Sequence, residues 1–78
     1  MMLRETDSVV LAVDIPEHRL KAGDVGTVVL VHENSGYEIE FMTLDGETIA
    51  ITSLEADKVR PIAHREIAHA RNIENTAH

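Results

Sequence analysis

Apolar and polar residues alternate along the middle of the chain with the period of a β-strand. In residues 37–41 (YEIEF), Tyr37, Ile39 and Phe41 fall on one face and two glutamates fall on the other, which is the pattern of a strand with one buried side. Residues 27–31 (TVVLV) are apolar on both faces and β-branched at four of five positions. They indicate a central strand covered on both sides or a strongly bent strand of a small barrel.

Turn-forming residues lie on both sides of the strand predicted at residues 27–31. Gly23 and Gly26 flank Asp24 and predict a tight turn before the strand, since glycine reaches positive φ without steric cost and aspartate bonds to nearby backbone. A polar corner at residues 33–36 (ENSG) joins the two strands. Together these segments predict an antiparallel hairpin around which the rest of the chain is arranged.

A second hairpin is predicted immediately after the first. Asp45 and Gly46 stand between apolar segments, a sequence typical of a type I′ turn with positive φ at both central positions. The return strand is predicted over residues 48–52, with Ile49 and Ile51 on one face and small or hydroxyl residues on the other.

Two further strands are predicted outside the hairpins. The first covers residues 8–13 and stops before Pro16, which lacks the N–H that strand pairing needs. Ser53 is a candidate helix cap and predicts a single 3₁₀ turn over residues 53–57. A short closing strand follows at residues 58–62. Five strands with short connections predict an all-β, partly open barrel.

The end of the chain differs from the barrel in composition. We expect residues 1–63 to form the barrel and residues 64–78 to form a tail that is partly helical or disordered. Helix-forming residues prevail over 63–70, where Ile67 and Ala70 give a narrow apolar stripe. Packing on the barrel, disorder, and ordering only on a partner are equally compatible with this sequence.

Composition and charge narrow the range of functions. The 78 residues suffice for one domain. They include no cysteine, so disulfides and thiolate metal sites are excluded. The net charge is −7, and 12 of the 14 acidic residues precede residue 64. This surface repels nucleic acid and is compatible with a basic protein partner, but the acidic charge by itself is more typical of a surface that serves solubility. No apolar run is long enough to span a membrane, and the N-terminus does not resemble a signal peptide, so we expect a cytoplasmic protein that binds no membrane.

Two groups of proteins share the opening glycine motif. Residues 21–29 (KAGDVGTVV) with 37–41 resemble the first hairpin of SH3-like barrels, including KOW-type barrels and small subunits of photosynthetic complexes. The run continuing through 43–47 to 59–61 resembles a family of small bacterial proteins, the domain of unknown function 4926, over residues 8–63. The resemblance implies a five-stranded SH3-like barrel and supplies no catalytic residues.

The residues offer no convincing catalytic, cofactor or metal site. Glu66 and His69 have the spacing used in di-iron bundles, but the chain lacks the further helices that such a site requires. His64 and His69 would lie on different faces of a helix. None of the serines lies in a nucleophile elbow, and the glycines do not form a dinucleotide loop. We therefore expect no enzymatic activity, no cofactor and no bound metal.

The favoured function is that of a small protein-binding module with a basic partner. The resemblance also suggests an antitoxin-like or immunity-like protein that neutralises the product of a neighbouring gene. The alternative is an accessory subunit of a larger enzyme or photosynthetic complex. The oligomeric state is left open. The candidate partner-binding residues belong to the loop before the central hairpin, its outward face, the following turn and the tail: Glu17, His18, Arg19, Glu38, Glu40, Glu47, Ile67 and Arg71.

Overall fold

The computed structural model describes residues 3–34 and 36–73. Its five strands are β1 (Ser8–Leu11), β2 (Val25–Val31), β3 (Gly36–Met42), β4 (Thr48–Glu55) and β5 (Val59–Pro61). Two 3₁₀ turns complete the regular structure, the first at Pro16–His18 and the second at Ala56–Lys58. Two predicted features lie partly outside the described residues. They are the corner, which contains Ser35, and the tail, which contains residues 74–78.

The strands form one antiparallel sheet in the order β4-β3-β2-β1-β5. Successive hairpins connect β1 to β4, and β5 then returns to pair with β1, so that Leu11 lies opposite Val59. The sheet does not close, because β4 and β5 are its two edges. The predicted all-β fold, a five-stranded and partly open SH3-like barrel, is confirmed.

The core lies on one side of the sheet, which we call the inner face. The alternation predicted for β3 is confirmed, since Tyr37, Ile39 and Phe41 are only 6%, 0% and 2% exposed. Valine and leucine side chains from the other strands and from two loops complete the cluster: Leu3, Val9, Leu11, Leu20, Val28 and Val59. Leu3 also donates its backbone N–H to the hydroxyl of Tyr37 at 3.4 Å.

Strand β2 is covered on one side only. Of the two alternatives predicted for it, the central strand covered on both sides is wrong. Val28 is buried opposite Ile39, but Val29, Leu30 and Val31 are each at least 40% exposed. A register shift between Val28 and Leu30 marks a bulge, which bends the strand and increases its twist. The second apolar face of β2 is therefore a solvent-facing surface among the described residues.

Strand β4 is longer than predicted because it pairs with the whole of β3. Ser53 lies opposite Glu38 in this ladder, so it is not a helix cap, and the second 3₁₀ turn begins three residues later than expected. Ala50 lies opposite Phe41 on the inner face, where a small residue accommodates the large ring. Ile51 consequently points away from the core.

The glycines serve different purposes. Gly23 has φ 100° and forms the predicted turn, in which the N–H of Asp24 donates to the carbonyl of Lys21. Gly26 lies instead within β2, where an added Cβ would stand 2.6 Å from Ile39 Cγ2 and 2.8 Å from the Phe41 ring. Close packing, and not a turn, requires glycine at position 26.

The hairpin between β3 and β4 differs from the predicted type I′ turn. Gly46 has φ 101°, but Asp45 does not have positive φ. The N–H of Gly46 donates to the carbonyl of Thr43, and the N–H of Thr43 donates to the carbonyl of Glu47. These bonds describe a three-residue loop in which a single positive-φ glycine follows an ordinary turn.

The helix favoured by composition over residues 63–70 is not formed. The chain turns at His64 and Arg65, and the latter has φ 65°, which is incompatible with a right-handed helix. Ile67 is 94% exposed, so the side chain expected to form the apolar stripe does not pack against the barrel. The described part of the tail, residues 64–73, is irregular and contacts the barrel through Arg71. The division at residue 63 stays a prediction.

Candidate interaction surface

The side of β2, β3 and β4 that faces away from the core presents a mixed apolar and acidic surface, which we call the outer face. The strand registers place two rows of three residues across it. One row runs Thr27, Glu40, Ile51, and the other runs Leu30, Glu38, Ser53. Apolar side chains thus lie directly beside carboxylates in both rows.

Both apolar members of these rows are substantially solvent-exposed. Leu30 is 42% exposed and Ile51 is 55% exposed. Glu40 accepts a hydrogen bond of 2.5 Å from the hydroxyl of Thr48, and Glu38 Oε2 lies 3.7 Å from His32 Nε2. Glu40 is therefore hydrogen-bonded within the sheet, Glu38 lies near a histidine that follows β2, and the outer face combines anionic groups with apolar area.

A groove separates the C-terminal half of β4 from the first 3₁₀ turn. It has a volume of about 410 Å³ and is open to solvent. Ile15, Glu17 and His18 line one side, and Thr52, Ser53 and Leu54 line the other. The groove therefore reaches the edge of the sheet and combines apolar walls with polar side chains.

The tail returns to the barrel beside the turn that precedes β2. Arg71 Nε donates to Asp24 Oδ1 at 2.9 Å, and Arg71 Nη2 donates to Asp24 Oδ2 at 2.6 Å. The same Nη2 donates to the carbonyl of Arg19 at 2.8 Å. Burial raises the pKa of Asp24, but hydrogen bonds from Arg71 and from the backbone of Lys21 outweigh it, so the pKa lies below its ordinary value.

A second pair of charged groups holds the beginning of the tail. Arg60 Nη1 and Nη2 donate to the two carboxylate oxygens of Glu66 at 2.9 and 2.6 Å. The backbone N–H of Ala63 also donates to Glu66, at 2.6 Å. These hydrogen bonds, that of Arg60 first, lower the pKa of Glu66 to about 2. The tail is thus attached by two arginine–carboxylate contacts.

The structure distributes the predicted partner-binding residues over separate places. Glu38 and Glu40 lie on the outer face, while Glu17 and His18 lie on the groove. The remaining four are divided between the hairpin turn, the exposed tail and the tail's contact with the barrel: Glu47, Ile67, Arg19 and Arg71. Their role in binding a partner stays a prediction for all eight.

Sequence reasoning missed the apolar members of the outer face. The prediction that Ile49 and Ile51 share one face is wrong, because Ile49 packs against the core while the pairing of Ala50 with Phe41 puts Ile51 on the outer face. Counting alternation outward from Phe41 across the second hairpin could have located Ile51. No local signal announces the contact of Arg71 with Asp24, because the two are 47 residues apart.

The perturbed carboxyl groups of these places are paired with arginine. Among residues 3–34 and 36–73, no three histidine or acidic side chains are grouped so that they could hold a metal ion. The carboxyl groups of Asp24 and Glu66 have lowered pKa values because arginine holds them in the ionised form. No helix within the described ranges is long and apolar enough to cross a membrane.

Comparison with known proteins identifies a family but supplies no activity. No curated protein and no solved structure matches the chain. The family model described as domain of unknown function (DUF4926) matches residues 5–61. This range runs from the N-terminal segment that pairs with β2 to the last residue of β5, so it covers the whole sheet. The chain therefore belongs to the DUF4926 family.

Proposed function

We propose that this protein is a non-enzymatic binding module that receives a basic protein partner on its outer face. The observation that carries the proposal is the interleaving of Leu30 and Ile51 with Glu38 and Glu40 on one exposed side of the sheet. Exposed apolar area beside polar groups is typical of protein interfaces. The carboxylates provide the complementary charge that steers a cationic partner.

The charge distribution supports a protein partner over nucleic acid. The chain carries a net charge of −7, and two of its arginines, Arg60 and Arg71, are engaged by carboxylates of the same chain. Nucleic-acid binding depends on lysine and arginine that neutralise phosphates. A partner rich in lysine and arginine is instead attracted to this surface.

The lowered pKa values of Asp24 and Glu66 support a role without catalysis. A general acid or base works best with a pKa near the operating pH. Asp24 and Glu66 have pKa values shifted in the opposite direction, since both are below their ordinary values. The groove beside β4 is also open and does not exclude water from a reacting group.

Two kinds of partner fit this module, and they differ in size and context. A small basic protein whose active surface is covered by the outer face would make the module an antitoxin-like or immunity-like protein. A multi-subunit enzyme or photosynthetic complex would make it an accessory subunit. The identity of the captured partner separates these two narrower proposals.

Affinity capture with charge-reversed variants tests the function. Tagged full-length protein is incubated, after nuclease treatment, with a lysate of the cells that encode it, and bound proteins are identified by mass spectrometry. Glu38→Lys reverses one charge on the outer face. Glu5→Lys makes the same change at an exposed position of the N-terminal segment and serves as the matched control.

We expect a stoichiometric, basic partner that binds the unchanged protein and the Glu5→Lys variant but is lost with Glu38→Lys. Equal loss with both variants would reduce the effect to net charge and contradict a role for the outer face. Co-purification of RNA or DNA without nuclease, and of no protein with it, would overturn the proposal in favour of nucleic-acid binding.

A further inference from the structure

The two edges of the sheet are protected to different degrees. Edge strand β5 is only three residues long, ends in Pro61 and is followed by a tail that is tied back through Arg60 and Glu66. A short length, a proline and a covering segment are the devices by which proteins prevent an edge from pairing with another chain. The β5 edge is thus closed to additional strands.

Among the described residues, edge strand β4 has no proline and no covering segment, and the one device of this kind that it carries is a bulge at Ile49 near its start. It is the longest strand, Thr48–Glu55 (TIAITSLE), and it contains neither proline nor a basic residue. No strand among the described residues pairs with its far side. Every second residue of an antiparallel edge strand directs its N–H and C=O outward, so about four residues of β4 present unpaired backbone groups.

We propose that β4 is a docking edge at which an extended, basic segment of the partner adds a sixth strand to the sheet. This inference rests on the proposed function and specifies how the partner is held. Addition of a strand pairs the outward backbone groups, and pockets for alternate side chains then provide specificity. The sheet continues across the new strand, and the outer face gains area next to Ile51.

Charge at the ends of β4 favours a basic segment over a second copy of this chain. Glu47 immediately precedes the strand and Glu55 ends it. Antiparallel pairing of two β4 strands brings Glu47 of one copy toward Glu55 of the other at both ends, and like charges opposite each other destabilise a sheet. Each copy also carries a net charge of −7. Lysine or arginine flanking an incoming strand reverses this repulsion.

The groove beside β4 supplies the pocket that such recognition requires. Thr52 and Leu54 face the inner side of the sheet, opposite Ile39 and Tyr37, and both line the groove. An added strand beside them directs alternate side chains to the same side. With Ile15 on the opposite wall, the groove suits an apolar side chain, and two acidic residues at the groove, Asp14 and Glu17, outnumber its one lysine, Lys58.

A synthetic peptide tests the docking edge without knowledge of the natural partner. The probe alternates valine and threonine and carries two lysines at each end. Its control has the same sequence but is N-methylated at alternate residues along one edge, so charge and apolar area are kept while the N–H donors on that edge are lost. Both are titrated into the ¹⁵N-labelled full-length protein, and chemical shifts and amide exchange are recorded.

We expect saturable shifts centred on β4, slower exchange of alternate β4 amides, and binding that is at least about tenfold weaker for the N-methylated peptide, since the ladder bonds supply the affinity. Ile51→Lys places a charge at the edge and should weaken binding about tenfold. Ile62→Lys, the matched control, makes the same change at a similarly exposed isoleucine that follows β5, and it should have a much smaller effect.

Several results would overturn the docking edge. They include the absence of shifts at millimolar peptide, equal affinity for the two peptides, and equal weakening by Ile51→Lys and Ile62→Lys, which would reduce the effect to net charge. The proposed function is tested separately, by the loss of partner capture with Glu38→Lys. A dimer in sedimentation equilibrium that Ile51→Lys dissociates would assign the edge to a second copy instead.

Discussion

The central hairpin and the tail are held to the same molecule by different physical interactions. In the hairpin, Tyr37, Ile39 and Phe41 are buried side by side and contribute no charged group to the core. In the tail, Ile67 is exposed, and the attachment consists of the pairs Arg60–Glu66 and Arg71–Asp24. Apolar packing therefore builds the barrel, and hydrogen-bonded charges fasten the tail to its surface.

The apolar packing that stabilises the barrel is therefore distinct from the ion pairs that attach the tail. Apolar burial is not weakened by ionic screening, whereas exposed ion pairs weaken as salt screens them. The outer face and the β4 edge are formed by strands that the core holds. We therefore expect the binding surface to survive changes that release the tail.

The largest expected effect is on the hairpin side. Phe41→Ala should lower the free energy of unfolding by about 3–5 kcal/mol, because it removes a buried ring and leaves a cavity. A domain of this size has little stability in excess. Urea denaturation followed by circular dichroism measures the loss. A midpoint close to that of the unchanged protein would contradict the placement of Phe41 in the core.

A smaller effect is expected from Gly26→Ala, which should cost about 1–3 kcal/mol by overpacking. The new Cβ would meet Ile39 and the Phe41 ring closer than van der Waals contact allows. Gly23→Ala is the contrasting variant, since its cost comes from φ 100° and not from a clash.

A double-mutant cycle distinguishes the two causes at these glycines. Combining Gly26→Ala with Phe41→Leu should give a non-additive loss, because the smaller side chain relieves the clash. Combining Gly23→Ala with Phe41→Leu should be additive. Additive losses in both combinations would contradict a packing role for Gly26.

The hairpin was also the part that sequence could predict best. The alternation of Tyr37, Ile39 and Phe41 reports one buried face, and this face is the centre of the core. The faces of β2 and β4 were harder to predict, because a bulge after Val28 and the pairing of Ala50 with Phe41 decide them. Such contacts depend on strand register and on the size of the opposite residue, which periodicity within one strand does not report.

On the tail side, Arg71→Ala should lower the free energy of unfolding by only about 1 kcal/mol or less, as is usual for partly exposed ion pairs. Its local effect should be larger, because Arg71 joins the tail both to Asp24 and to the carbonyl of Arg19. Amide exchange of residues 66–73 should accelerate while that of Ile39 is unchanged. Equal acceleration at both places would make the tail part of the core.

Acid should detach the beginning of the tail. The folded-state pKa of Glu66 is about 2, below the ordinary value of 4.5, so its contact contributes stability above pH 4.5 that is lost as the pH falls through 2. The amide proton shift of Ala63, which donates to Glu66, should titrate with this low midpoint. Glu66→Gln should abolish the titration. A midpoint near 4.5 in the unchanged protein would contradict the contact with Arg60.

The tail and the interaction surface were less accessible from the sequence than the fold. Composition favoured a helix over 63–70, yet the two charge pairs and the positive φ of Arg65 give an irregular path. The acidic character of the outer face was predictable from Glu38 and Glu40. Its apolar members, and the contact of the tail with Asp24, follow from tertiary arrangement alone.

The most direct test of the account compares peptide binding by the full chain and by a chain that ends at Ile62. The lysine-flanked peptide is titrated into both ¹⁵N-labelled proteins, and the dispersed amide signals of β2 and β3 report in the same spectra that the barrel is folded. We predict that the two proteins show the same shifts on β4 and bind the peptide with affinities within about twofold of each other, because strand addition uses the barrel alone. A folded truncated barrel that no longer binds the peptide would contradict it and would make the tail part of the binding surface.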